Sequence, residues 1–256
     1  MTPFLLNLYV LLVGLCFGSF LNVCIYRLPA GRSIIRPASS CTGCNTPIRW
    51  YDNIPVISYL ILGGRCRTCN TIISLRYPIV ELLTGLFALG AWLRFGPHPQ
   101  TVVYFVFIAA LLVITFIDID HRIIPDAISL PGIPIGFILS FLLPQIGWRD
   151  SLLGIVIGGG SLFAVAWGYH RLTGKEGMGG GDIKLLGMIG AFIGWQGVLF
   201  TIMASSFTGT VVGLVLMLQS RKGMKTAVPF GPFLAIGAIL YLFFGPQWIA
   251  WYLHRF

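Results

Sequence analysis

The stretch TVVYFVFIAALLVITFIDIDHRIIPD, residues 101–126, decides the fold. It carries no charge from Val102 to Ile117, and then Asp118, Asp120 and Asp126 follow within nine positions. A run of this kind, set against about 20 residues per crossing, is a transmembrane helix. Asp118 ends it at the edge of the hydrocarbon, where an ionisable group is costly and is a functional candidate by default. A second such group is Asp182, which closes Gly179-Gly180-Gly181-Asp182, a GxGD pattern, ahead of another apolar segment. Two carboxylates at membrane boundaries, one on a glycine-rich backbone, point to acid/base hydrolysis at a membrane surface.

The rest of the chain agrees with that class. Hydrophobic residues make up 56% of the 256 positions and charged ones 10%, against roughly a quarter charged in soluble domains. The chain therefore reads as an all-α polytopic membrane protein. About eight transmembrane helices are expected, at residues 4–26, 77–95, 101–119, 127–143, 151–170, 183–195, 197–219 and 229–250. The sixth is short and glycine-rich (Gly187, Gly190, Gly194), which suits close packing inside a bundle or a re-entrant segment. The first run is too long for a signal-peptide core of about 7–15 residues and reads as a retained helix.

A net charge of +9 invites a nucleic-acid reading, but the basic residues sit in a few loops between apolar spans. Of 17 Lys and Arg, 14 fall in the loops on one side of the predicted topology. That side is assigned to the cytoplasm, together with Asp118 and Asp182, and both termini face outward. No nucleic-acid partner is expected; membrane lipid is.

The one sizeable soluble piece is the loop between the first two spans, giving three regions: 1–26, 27–76 and 77–256. The loop is too short for a robust core of its own. It contains Cys41-Thr42-Gly43-Cys44 and Cys66-Arg67-Thr68-Cys69, two CxxC knuckles with 21 residues between them. Four thiolates supplied in pairs from two tight turns complete a tetrahedral structural zinc site with no open position. The alternative is two disulfides, which a cytoplasmic loop disfavours. Cys16 and Cys24, in the first span, read as buried helix packing. No internal repeat is evident.

Each acidic group also has an ordinary reading. Asp126 follows a proline ahead of the fourth span and fits a helix cap. Asp182 could cap too, although its glycines would let an extended substrate lie against the backbone. Asp120 and His121 read as solvated loop residues. Glu81, about one turn into the second span, either serves a ligand or pairs with Arg76 or another base. Gly64, before the second knuckle, permits a close approach or makes a turn. Asn22 and Arg27 are placed to bridge the first span to the loop.

Taken together, these pieces resemble the type IV prepilin peptidases, the bifunctional leader peptidases and N-methyltransferases of type IV pilus and type II secretion systems. The resemblance rests on Gly18-Ser19-Phe20-Leu21-Asn22-Val23 continuing into Tyr26-Arg27-Leu28-Pro29, on the paired knuckles with Gly64-Arg65-Cys66, and on Arg76-Tyr77-Pro78-Ile79-Val80-Glu81-Leu82-Leu83. It extends through Ile117-Asp118, Ile124-Pro125-Asp126 and Gly177-Met178-Gly179-Gly180-Gly181-Asp182-Ile183-Lys184. It implies catalytic Asp118 and Asp182, a supporting loop of Gly179, Gly181 and Lys184, and zinc on Cys41, Cys44, Cys66 and Cys69. It also implies an enzyme of the bacterial inner membrane that cleaves prepilins or pseudopilins after a glycine on the cytoplasmic side. The new N-terminus would then be methylated from S-adenosylmethionine, with Gly64 and Glu81 as methylation candidates. The competing classes are a peptidase alone, a small proton-relaying transporter and a non-catalytic scaffold.

Overall fold

The computed structural model describes residues 3–143, 145–175, 179–219 and 229–253. Among them the regular structure is helical: α1 Pro3–Arg27, the short α2 Ile57–Ile61, α3 Arg76–Phe95, α4 Pro99–His121, α5 Asp126–Ser140, α6 Trp148–Thr173, α7 Gly180–Gln219 and α8 Gly231–Leu253. Six of these are long and apolar enough to cross a membrane, and α5, with 15 residues, is apolar but shorter. The chain divides into two compact units, Met1–Val113 and Ile114–Phe256, with the boundary falling within α4.

In the first unit α1 and α3 run antiparallel along a seam of small residues. A Cβ at Gly14 would stand 2.5 Å from Ala88 Cβ, and one at Gly18 would stand 2.6 Å from Glu81 Cα. Lipid supplies no hydrophobic drive between helices, so backbones that approach this closely gain their attraction from van der Waals packing. Asn22, buried on α1, donates from Nδ2 to the Tyr77 carbonyl at 3.1 Å. The Arg27 guanidinium donates to the carbonyls of Ser33 and Ala38. Both residues thus tie α1 to the chain that follows, as expected from sequence. Cys24 is buried, whereas Cys16 is exposed, so only one of the two is helix packing within this unit.

In the second unit the first half of α7 lies between α5 and α6. Gly132 and Gly136 of α5 face Met188 and Ala191, and Gly154 and Gly158 of α6 face Gly190 and Leu186. These pairings make α5 parallel and α6 antiparallel to that half. Ser151 adds a hydrogen bond to the Ala191 carbonyl at 2.8 Å. At Gly194 the backbone leaves the helix (φ 72°, ψ 178°). Beyond it, Gly197 packs on Tyr241, Thr201 on Gly237 and Gly209 on Phe233, so the second half of α7 runs antiparallel to α8. The chain therefore reverses at Gly194, a conformation open essentially to glycine alone. The sixth and seventh predicted spans correspond to the two halves.

Candidate active site and metal centre

Asp118 lies in the last turn of α4, on the face that buries Ile114 and Ile117. The helix ends just beyond it. Arg122 adopts a left-handed φ of 56° and returns its amide to the Asp118 carbonyl at 2.9 Å. Pro125, itself extended (φ −64°, ψ 120°), then stands as the cap of α5, and a proline disfavours α-conformation in the residue before it. Asp118 is 5% exposed, and its Oδ2 accepts a hydrogen bond from the Gly231 amide at 2.9 Å.

Asp182 sits in the first turn of α7, where its amide bonds to the Gly179 carbonyl at 3.2 Å. It is half-buried, and its Oδ1 is enclosed with no hydrogen-bond partner among the described residues. A buried acceptor left unpaired is costly, and in native proteins it calls for an explanation such as a catalytic role or a bound water.

Ile124 joins the two carboxylate surroundings. A Cβ at Gly181 would stand 2.9 Å from Ile124 Cβ, and one at Gly231 would stand 3.5 Å from Ile124 Cδ1 and 2.7 Å from Asp118 Oδ2. The C-terminus of α4 and the N-termini of α7 and α8 therefore meet at one end of the second unit. Gly179 and Gly180 are exposed there; a Cβ at Gly180 would meet nothing among the described residues, and one at Gly179 would meet Asp182 Oδ2 at 4.0 Å. Gly177 and Met178 lie outside the described residues.

Two ordinary readings are corrected at this end. Asp126 is not the cap of α5: Pro125 holds that position, and both Asp126 oxygens take Lys184 Nζ at 2.8 Å. Asp182 stands inside α7 rather than ahead of it. Lys184 is thereby committed to Asp126, and it links the starts of α5 and α7. Asp120 and His121 are exposed, as expected, but they belong to the last turn of α4 rather than to a loop.

In the first unit the four thiols converge. The sulfurs of Cys41, Cys44, Cys66 and Cys69 lie within 4.8 Å of one another, and Cys41 and Cys69 are 3.7 Å apart. Four thiolates at about 2.3 Å from a tetrahedral zinc stand about 3.8 Å from each other, so the cluster fits a metal. A disulfide would need about 2.05 Å, and all four cysteines are free. The cluster could bind a metal ion.

The two knuckles are copies of one CxxCNT unit. In each, the first cysteine's amide bonds to the threonine carbonyl five positions on (Thr46, Thr71), and its carbonyl receives the asparagine amide (Asn45, Asn70). Both asparagines take φ 56°, a left-handed turn that Asn tolerates better than most residues. Cys44 and Cys69 lie 3.2 and 3.1 Å from the hydroxyls of Thr46 and Thr71. Those hydroxyls hold the two thiols below their usual range, and the amides of Cys69 and Thr68 do the same for Cys66. Cys41 goes the other way, to about 11. The amides of Cys44 and Gly43 favour its thiolate, but desolvation and the neighbouring sulfurs of Cys66 and Cys44 hold its proton. A divalent cation would displace that proton.

The remainder of the loop is held by polar links rather than a core. Arg67 pairs with Asp52 at 2.6 Å and lies 5.7 Å from the Tyr51 ring, while Ile35, Trp50 and Ile72 are exposed. Glu81, 8% exposed, accepts the Val56 amide on Oε2 at 2.8 Å, where Val56 is itself forced to φ 61°. It thus pins the start of α2 to α3. Ser19, Asn22, Arg27, Val56, Tyr59 and Glu81 belong to the wall of a cavity of about 1350 Å³. Gly64 is not part of that wall. It makes a turn at φ 68°, where a Cβ would stand 2.8 Å from the Tyr59 hydroxyl.

Residues 12–95 match the Bacterial Peptidase A24 N-terminal domain, and residues 105–214 match the Type IV leader peptidase family. Several curated relatives bear the name prepilin leader peptidase/N-methyltransferase. That of Pseudomonas putida is 39% identical over 92% of this chain and 89% of its own length. That of Stutzerimonas stutzeri is 39% identical over 98% and 95%, and that of Pseudomonas aeruginosa 38% over 96% and 92%. No solved structure matches. The matched residues include Asp118, Asp182 and the whole cysteine loop, and the chain belongs to the type IV leader peptidase family.

Proposed function

We propose that this protein removes the leader of type IV prepilins or pseudopilins by aspartic hydrolysis and then methylates the new N-terminus. The observation that carries the reading is the convergence on Ile124 of the helix ends that bear Asp118 and Asp182, with Gly179 and Gly180 exposed beside them. Like charges at close range do not both ionise readily, so such a pair shares one proton. The ionised member takes a proton from water, whose oxygen attacks the carbonyl carbon of a glycine. The protonated member gives its proton to the leaving nitrogen as the C–N bond breaks. The chain thus supplies both proton-transfer groups.

A prepilin joins a hydrophilic leader to an apolar helix, so its scissile bond lies at the depth of these aspartates. The exposed glycines leave room for the extended substrate, with Gly181 and the Lys184–Asp126 pair holding the turn in place. This depth also separates the reading from a transporter, whose ion sites lie near the bilayer midplane. Eight crossings, with the two halves of α7 counted separately, keep the aspartates and the cysteine loop on the cytoplasmic face of the bacterial inner membrane.

Cys41, Cys44, Cys66 and Cys69 would hold zinc, which supplies a structural cross-link to a loop without a core. S-adenosylmethionine, when bound, supplies a methyl group to the amine that cleavage exposes. Glu81 is the methylation candidate favoured by position, because its carboxylate belongs to the cavity wall. Gly64 would contribute only through the shape of its turn. Mass spectrometry of a prepilin incubated with the purified protein tests the whole reading. Leader loss with and without the donor, and one added methyl only with it, is the expected result. An intact substrate beside folded, zinc-loaded protein would overturn it.

A further inference from the structure

Gly231 is the first residue of α8, and its amide is the group that meets Asp118 Oδ2 at 2.9 Å. A helix start leaves its first amides without intrahelical partners. Here the others are accounted for: Pro232 has none, and those of Phe233 and Leu234 both reach the Phe230 carbonyl. Among the described residues, Asp118 is the partner of the Gly231 amide. The positive end of the helix dipole adds to the attraction for a carboxylate.

Glycine is not needed at 231 for its backbone, which lies outside the left-handed region. It is needed for space. A Cβ would stand 2.7 Å from Asp118 Oδ2 and 3.3 Å from its Cγ, so any side chain would push the carboxylate away.

We propose that Gly231 is a positioning residue for cleavage: its amide fixes Asp118 through Oδ2, and its missing side chain leaves room for the carboxylate to sit against the start of α8. This rests on the reading of Asp118 as catalytic. The α8 N-terminus then belongs to the active site, although it contributes no side chain to the chemistry.

The test is Gly231→Ala with cleavage kinetics on a prepilin peptide, run beside Gly237→Ala. Gly237 is also on α8 and similarly tight, since a Cβ there would stand 3.0 Å from the Thr201 carbonyl. Methylation of an already cleaved substrate serves as the control for folding. Misplacing a reacting group by about 1 Å can cost on the order of 100-fold. The expected result for Gly231→Ala is a kcat lowered by about 10- to 100-fold, with KM changed less than about 3-fold and methylation kept. Gly237→Ala should leave kcat near wild type. Unchanged kcat in Gly231→Ala, or an equal loss in Gly237→Ala, overturns the proposal. Should Gly231→Ala not fold, hydrogen exchange decides. The Gly231 amide should lose protection in Asp118→Ala and keep it in Asp182→Ala; equal protection in both overturns the proposal. If Asp118→Ala itself cleaves normally, the catalytic reading has failed instead.

Discussion

The cysteine loop and the aspartate end of the second unit solve the same problem, holding reactive groups in place, by opposite means. The loop brings its four thiols together over 28 positions with short turns, threonine hydroxyls and asparagines in left-handed conformation. It buries little and leaves Trp50 and Ile72 exposed. The aspartate end brings α4, α7 and α8 together by helix packing. Asp118 and its partner amide are 113 positions apart. A local device can be written as a motif and offers four ligands to a metal; a long-range device depends on every helix that packs around it. Each should fail in its own way.

The largest effect expected is at the aspartates. Asp118→Ala or Asp182→Ala should lower cleavage by at least about 1000-fold, since each removes a proton-transfer group and its partner's counterpart. Methylation of a pre-cleaved substrate should survive. Full cleavage in either variant, measured by mass spectrometry, breaks the comparison at its strongest point.

Next is Cys41→Ser, which should lower bound zinc and abolish methylation while leaving cleavage within about 3-fold. Zinc stoichiometry and the two assays run in parallel would check this, and loss of both activities together would deny that the regions are separable. The pH dependence has a definite sign. Cys44, Cys66 and Cys69 are held below their usual range, so the stability that their thiolates contribute is present above the unfolded value and lost as pH falls through the folded one. Bound metal should therefore be lost on acidification, as protons compete for the sulfurs. Retention unchanged into strongly acidic buffer would sink the thiolate site.

A smaller effect is expected from Gly194→Ala. An alanine there must adopt φ near 72° with ψ near 178°, at a cost of about 1–3 kcal/mol, and its Cβ meets Asp150 at 3.4 Å. Thermal unfolding should shift downward while zinc content stays the same. The smallest effect is at the Asp126–Lys184 pair, whose side chains are 57% and 36% exposed. Exposed pairs contribute about 0–1 kcal/mol, so Asp126→Asn should change kcat less than about 3-fold. A larger loss would move Lys184 from support to catalysis.

Much of this was legible in order of locality. Both knuckles, the apolar runs and the two aspartates could be read directly, because hydropathy and CxxC spacing act over a few residues. The turn chemistry of the knuckles is local too: the shared CxxCNT repeat puts Asn45 and Asn70 where each turn needs a left-handed residue. The role of Glu81 was open in sequence because a carboxylate at a helix start has many partners, and Val56 is 25 positions away. Asp126 was misread as a cap since nothing local shows that Lys184 reaches it across 58 positions.

By itself, the sequence determined that the chain is helical with apolar runs long enough to cross a membrane, that four cysteines stand in two CxxC knuckles, and that Asp118 and Asp182 adjoin apolar runs. These follow from the period of apolar residues, the cost of charge in lipid and the reach of a two-residue turn. Only the tertiary structure decided that α7 reverses at Gly194 and that Asp118 is fixed by Gly231. It alone showed that Ile124 joins both aspartate surroundings. Those contacts depend on which helix faces pack together, and close packing between remote segments leaves no periodic trace in the chain.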